Sequence, residues 1–126
     1  MKKDKLETYN YFSTPIYSID KPEWVSKIDK ACDKYIKEAY KRDKKGKKDF
    51  GHSYHSGTMV GDKDFKELQD YIGATTHNLL NEWGCDVEQY KIYFTEFWVQ
   101  EFSKSGGGHH DTHTHWDNHM SGFYFL

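Results

Sequence analysis

At 126 residues, with 30% charged side chains and a formal net charge of −2, the chain has the size of one domain (1-126) with a modest core. That balance gives no general reason to expect nucleic acid or an anionic membrane surface as a partner. Ten Tyr, eight Phe and four Trp outweigh a sparse aliphatic content, which favours β-structure and polar-edged clefts over an aliphatic helical bundle.

The opening Met1-Lys2-Lys3-Asp4-Lys5 has no apolar segment behind it, and no stretch approaches the roughly 18 apolar residues that span a bilayer. A soluble, cytoplasmic protein without a membrane partner is the expectation. Cys32 and Cys85 are too few for a disulfide framework and lack zinc-site spacing, so both read as buried thiols of an intracellular protein.

In chain order, Tyr11 to Ser18 reads as a short edge strand interrupted by Pro15. Asp20-Lys21-Pro22-Glu23 resembles a capping box. Behind it Trp24, Val25, Ile28, Ala31, Cys32, Tyr35, Ile36 and Ala39 recur at three and four residues, predicting an amphipathic helix of about five turns. The basic tract Lys41 to Lys48 reads as cations at that helix's C-terminus and a solvated turn, because Glu38 and Asp43 interrupt it and no aromatic platform is interleaved.

Gly51 to Gly57 reads as a polar loop, with His52 and His55 as surface or hydrogen-bonding residues before extra ligands, and Thr58-Met59-Val60 as a short strand. Asp64 and Glu67 form a second capping-box pattern. Phe65, Leu68, Tyr71, Ile72, Leu79, Leu80 and Trp83 then mark a second helix closed by Gly84, with His77 off the stripe and exposed. From Tyr90 to Phe102 the period changes to two, with both faces partly apolar, predicting a long strand covered on both sides in which Glu96 and Gln100 need polar partners. A final strand is expected from about Ser121. Helices followed by antiparallel strands give an α+β chain.

Between the glycine run (Gly106 to Gly108) and that last strand lie five of the eight histidines: His109, His110, His113, His115 and His119. Neutral imidazole is the commonest protein metal ligand, with carboxylates as frequent companions. His109, Asp111, His113, His115, Asp117 and His119 are all odd-numbered, so an extended strand would aim them to one face. Three pairings compete: His113 with His115, His115 with Asp117, and His109 with Asp111. A His-x-Asp pair is the part of a non-haem iron triad that one strand supplies. Structural zinc fits less well, since no cysteine lies nearby.

Phe97-Trp98-Val99-Gln100, the glycine run and His113-x-His115, followed by Ser121-Gly122-Phe123-Tyr124, together resemble a family of 2-oxoglutarate/Fe(II)-dependent oxygenases common in phages, notably those of marine cyanobacteria, and in bacteria. Phe12-Ser13-Thr14-Pro15-Ile16 matches how these proteins begin. The resemblance covers essentially the whole chain but only the first half or so of the family pattern. It implies helices followed by the antiparallel strands of an incomplete double-stranded β-helix, or jelly roll. By the match, His113 takes the first iron-ligand position, and His115 stands where relatives place their acid. His115 with Asp117 stays a rival register. Trp98, Gln100 and Tyr124 are then the cofactor-binding candidates.

The activity implied is hydroxylation of an unknown primary substrate, with Fe(II) as cofactor and 2-oxoglutarate as a small-molecule co-substrate decarboxylated to succinate. The family's distal histidine and its basic 2-oxoglutarate-binding residue would fall after Leu126, so these residues are expected to be catalytically incomplete by themselves. The competing expectation is a non-enzymatic phage structural or interaction protein that keeps the scaffold and pairs with a partner chain, or with itself, through an exposed strand edge. Location would then be the host cytoplasm or the virion.

Overall fold

A computed structural model describes residues 14–43 and 50–126. A 3-10 turn at Pro22–Trp24 leads into helix α1 (Val25–Asp43); strand β1 (Ser53–His55) follows. A second 3-10 turn at Lys63–Phe65 opens helix α2 (Lys66–Glu82), and strand β2 (Gln100–Phe102) comes last. The strands pair antiparallel, with Ser53 opposite Phe102, Tyr54 opposite Glu101 and His55 opposite Gln100. The architecture is therefore α+β, and this pair is the sheet content of the described residues. No helix among them is long and apolar enough to cross a membrane.

Helix α1 follows its apolar period: Ile28, Cys32, Ile36 and Ala39 are buried on one face, with Lys41 and Arg42 in the last turn where the helix dipole favours cations. Its start differs from expectation. Lys21 takes the position before the 3-10 turn, no side chain caps it, and the Asp20 capping box does not form. Residues 14–18 form no strand, since Pro15 offers no ladder donor and the neighbouring Ile16 is 92% exposed; residues 11–13 lie outside the described set, as do 44–48 of the basic tract.

The cap of the second helical segment is Asp62, two residues earlier than the spacing suggested. Its Oδ1 accepts from the Asp64 backbone N–H at 2.9 Å. Its Oδ2 accepts from the Tyr35 hydroxyl at 2.6 Å and pairs with Lys34 Nζ at 2.7 Å. Asp64 is engaged elsewhere, with Lys34 at 2.9 Å. The Lys34 ammonium, the Tyr35 hydroxyl and the Asp64 amide hold the Asp62 carboxyl well below the usual carboxylate range. The same two carboxylates raise Lys34 above the ordinary lysine value.

Helix α2 ends as expected at Gly84, which sits at φ 84°. Its N–H donates to Asn81 O and the Cys85 N–H to Leu80 O, both at 3.0 Å, the paired closure that satisfies two orphan carbonyls. Of the predicted stripe, Phe65, Leu68 and Leu80 are buried, while Trp83 is 45% exposed and His77 half-buried rather than exposed.

Ile28, Cys32, Met59, Phe65 and Leu68 form the central cluster; Trp24, Tyr35, Ile72, Phe97, Val99 and Tyr124 pack against it. Phe65 is fully buried, its ring 6.0 Å from that of Tyr35 and 5.6 Å from that of Phe97. Cys32 is buried as expected, and burial, reinforced by Asp29 and Asp33, pushes its thiol up to about 11. Cys85 is exposed, contrary to expectation, because it lies beyond the glycine that ends α2.

The long strand from Tyr90 shortens to three residues. Upstream of it the chain runs beside residues 56–59 through single bonds, Ser56 N–H to Val99 O at 3.0 Å and Met59 N–H to Phe97 O at 2.7 Å. Phe97 and Val99 face the core, and Trp98 faces away from it. The partner strand is Ser53–His55 rather than Thr58–Val60, and residues 121–126 form no strand.

Replacing Phe65 with Ala should lower unfolding free energy by about 3–5 kcal/mol, the usual loss for an aromatic deleted from a packed core, measured by urea denaturation. Asp62 makes acid stability directional. Its folded pKa lies below the unfolded value of about 3.9, so its contribution is present above that pH and lost as pH falls through the folded value. Stability curves of the native chain and Asp62→Asn should therefore stay apart at neutral pH, begin to approach below about pH 4 and meet only as pH falls through the folded value.

Candidate metal centre

The histidine segment reaches its place through the glycine run. Gly106 and Gly107 adopt φ 89° and 72°, the left-handed region open to glycine. A Cβ on Gly107 would lie 2.6 Å from the Phe50 ring, and one on Gly108 would lie 2.9 Å from Phe102 Cβ. Only a bare backbone lets the chain turn back from β2 across the start of β1. Gly51 N–H donates to Gly106 O at 2.8 Å, and Ser53 Oγ to His109 O at 2.8 Å. The far end is tied by Thr95 Oγ1, which donates to Asn118 Oδ1 at 2.7 Å.

Between these ties the segment is irregular, so the expected strand parity does not hold. His109 and Asp111 pair with each other at 3.3 Å on the surface. His110, an even-numbered residue, joins the site instead: its ring stacks on Trp98 at 5.7 Å and meets His113 edge-on at 4.4 Å.

His113 and His115 come together, with Nε2 atoms 3.2 Å apart. His113 Nδ1 lies 2.8 Å from Asp111 O, a carbonyl that can only accept, so the ring carries its proton there and its Nε2 lone pair accepts from His115 Nε2–H. Two nitrogens bound to one cation at about 2.1 Å each lie about 3.0 Å apart at a right angle and about 3.4 Å apart at a tetrahedral angle. The observed separation falls between those limits.

Asp117 does not join them. It sits at φ 59°, a conformation a short polar side chain tolerates, in a turn closed by Asn118 N–H to His115 O at 3.3 Å. That reversal takes Asp117 out of the extended register on which its pairing with His115 depended. Among the described residues no three His, Cys, Asp or Glu side chains converge on one point.

An open cleft of about 340 Å³ adjoins the pair, lined in part by His55, Thr95, Glu96, Trp98, His110 and His113. Trp98 is in ring contact with two imidazoles, His55 at 4.0 Å and His110 at 5.7 Å. His55 thus contributes to the site as a wall, placed there because Tyr54 alternates inward and is fully buried. Gln100 sits opposite His55 in the ladder rather than in the lining, and Tyr124 donates its hydroxyl to Lys21 O at 2.6 Å and packs on the core. His52 is 3.3 Å from Asp43, whose carboxyl Arg42, and secondarily His52, holds below the usual range. That contact, with Arg42 Nη2 donating to His55 O at 2.6 Å, locks the end of α1 to β1.

Thr95 and Glu96 were not legible as site residues, and His55 was weighed only behind a surface or hydrogen-bonding role. The nearest sequence signal is the Ser53-Tyr54-His55-Ser56 alternation, which composition disguises as a loop.

In comparisons with known proteins, no family model, no curated protein and no solved structure matches the chain.

The hydrogen bond to Asp111 O fixes a checkable tautomer. Long-range proton–nitrogen correlation spectra of the metal-free protein at neutral pH should show His113 as the Nδ1–H form, and Asp111→Pro or →Gly should release it only if the backbone carbonyl moves.

Proposed function

We propose that the chain is a non-haem Fe(II)/2-oxoglutarate oxygenase-type protein in which His113 and His115 supply two imidazole ligands to iron. The observation that supports this most directly is the 3.2 Å approach of the two Nε2 atoms, with His113 already in the ligating tautomer. The sequence resemblance, which rests in part on the same His113-x-His115, points the same way. Two neutral imidazoles suit iron(II), and a carboxylate is the usual third partner. In this reading β1 and β2 belong to a double-stranded β-helix, and the exposed apolar surface of the last residues packs on further strands.

Bound iron would couple decarboxylation of 2-oxoglutarate to hydroxylation of a substrate C–H bond. The chain's own residues prepare that centre. Asp111 O orients His113, and His110 backs it with a ring braced on Trp98. Asp117 becomes a ligand only if the turn at residues 116–117 opens. Gln100 and Tyr124 then act as supports of the scaffold, not as contacts to the co-substrate. Among the described residues, the lining of the cleft includes no lysine or arginine to grip a dicarboxylate.

A second reading has its own support. Trp116, Phe123 and Phe125 are 81%, 79% and 85% exposed, an apolar surface of the kind that pairs with another chain in a structural or interaction protein. Sedimentation with and without metal separates the two, since assembly by that surface is indifferent to His113→Ala.

Anaerobic Fe(II) titration provides the direct test. His113→Ala and His115→Ala should each weaken binding by at least about 100-fold, beyond the 10–100-fold typical of losing a mere supporting partner. Asp117→Ala should leave affinity unchanged; a loss there with His113→Ala silent would favour the His115–Asp117 register instead. Succinate release from 2-oxoglutarate by the iron-loaded protein would establish the enzymatic part.

A further inference from the structure

The cleft beside His113 has a chemical bias that the iron reading does not use. Glu96 lines it, and its Oε2 lies 3.4 Å from Trp98 Nε1. No ion pair to Glu96 occurs among the described residues, and no lysine or arginine lines the cleft. The side-chain donors of the wall are mostly spent inside the protein. Trp98 Nε1–H turns to Glu96, and Thr95 Oγ1–H goes to Asn118 Oδ1. Ser56 Oγ–H goes to Gly57 O at 2.7 Å, and His55 Nδ1–H to Ser56 O at 2.7 Å.

What remains is mainly acceptor capacity: the Glu96 carboxylate, the Thr95 hydroxyl oxygen, and the Nε2 lone pair that His55 keeps by donating through Nδ1. Such a wall repels a dicarboxylate and suits a ligand that only donates. We infer that this cleft binds a primary ammonium group, with Glu96 as its counter-ion. The compact ammonium fits better than a guanidinium, because one Glu96 oxygen already faces the indole and a planar two-point fork would need both. The Trp98 indole then accommodates the alkyl stem of the amine.

The inference goes beyond the iron reading and does not need it: the amine should bind to the metal-free chain. In chelator, the full chain would be titrated with Nα-acetyl-lysine methylamide while following the Trp98 indole N–H signal, assigned through Trp98→Phe. A saturable shift is expected, absent with the Nε-acetylated analogue and about five- to tenfold weaker in Glu96→Gln, a range set by the exposure of the carboxylate. Pentane-1,5-diamine in the same assay distinguishes a free amine from a lysyl side chain, and saturation by either supports the site.

Thr95→Val, which removes a second acceptor, should weaken binding in the same direction and stands in if Glu96→Gln loses the native spectrum. His115→Ala, outside the cleft lining, should lose Fe(II) and keep the amine, so failure of one reading does not mask failure of the other. Equal shifts with the acetylated analogue, tighter binding of Nα-acetyl-arginine methylamide, or indifference to both Glu96→Gln and Thr95→Val would overturn the inference. So would a loss of Fe(II) affinity in Glu96→Gln, which would make Glu96 a metal ligand instead.

Discussion

The arrangement hangs on the Asp62 carboxylate. One of its oxygens caps the turn that starts the second helical segment, and the other binds Lys34 and Tyr35 on α1. It thereby fixes the two helices against each other at the point where Met59 and Phe65 enter the core. From that point Met59 donates to Phe97 O and Phe65 packs on the Phe97 ring, so the chain through Phe97 and Trp98 is aligned on the helices before it pairs with β1. The cleft wall thus depends on an interaction outside its own lining.

Helices were the legible part of the sequence because burial on one helical face imposes a period that local chemistry cannot hide. Their caps were less so. Asp20 and Asp64 each stand three residues before a glutamate, yet the capping-box spacing does not say which acid the rest of the fold claims. Lys34 pairs with both Asp62 and Asp64, and Asp62 keeps its Oδ1 for the Asp64 N–H. The strands were misjudged in length for a different reason. Alternation over Tyr90 to Phe102 records which side chains are apolar, whereas a strand also needs a neighbour for its backbone, and residues 53–55 offer one for three residues only.

The histidine segment divides the same way. His113 and His115 lie together, one of three pairs that spacing two apart left open. That His110 joins them, and that Asp117 does not, depends on a turn and on the flank of Trp98, neither of which a parity argument contains. Long-range neighbours decided those positions: Ser53 and Thr95 grip the segment from two different parts of the chain. Glu96 belongs to the same class. Its need for a polar partner was readable, while the identity of that partner, an indole two residues on, and the open space beside it were not.

Those two grips have a consequence for affinity. Ser53 and Thr95 pin residues 109 and 118, and the eight-residue arc between them is exposed along its whole length. An arc closed at both ends has surrendered much of its configurational freedom in advance, so a ligand that bridges its imidazoles meets a smaller ordering penalty than it would on a free tail. The tethers thus set the entropic baseline of the centre from outside it, and a substitution at Ser53, far along the sequence from any imidazole in the arc, alters how tightly the arc holds whatever it binds.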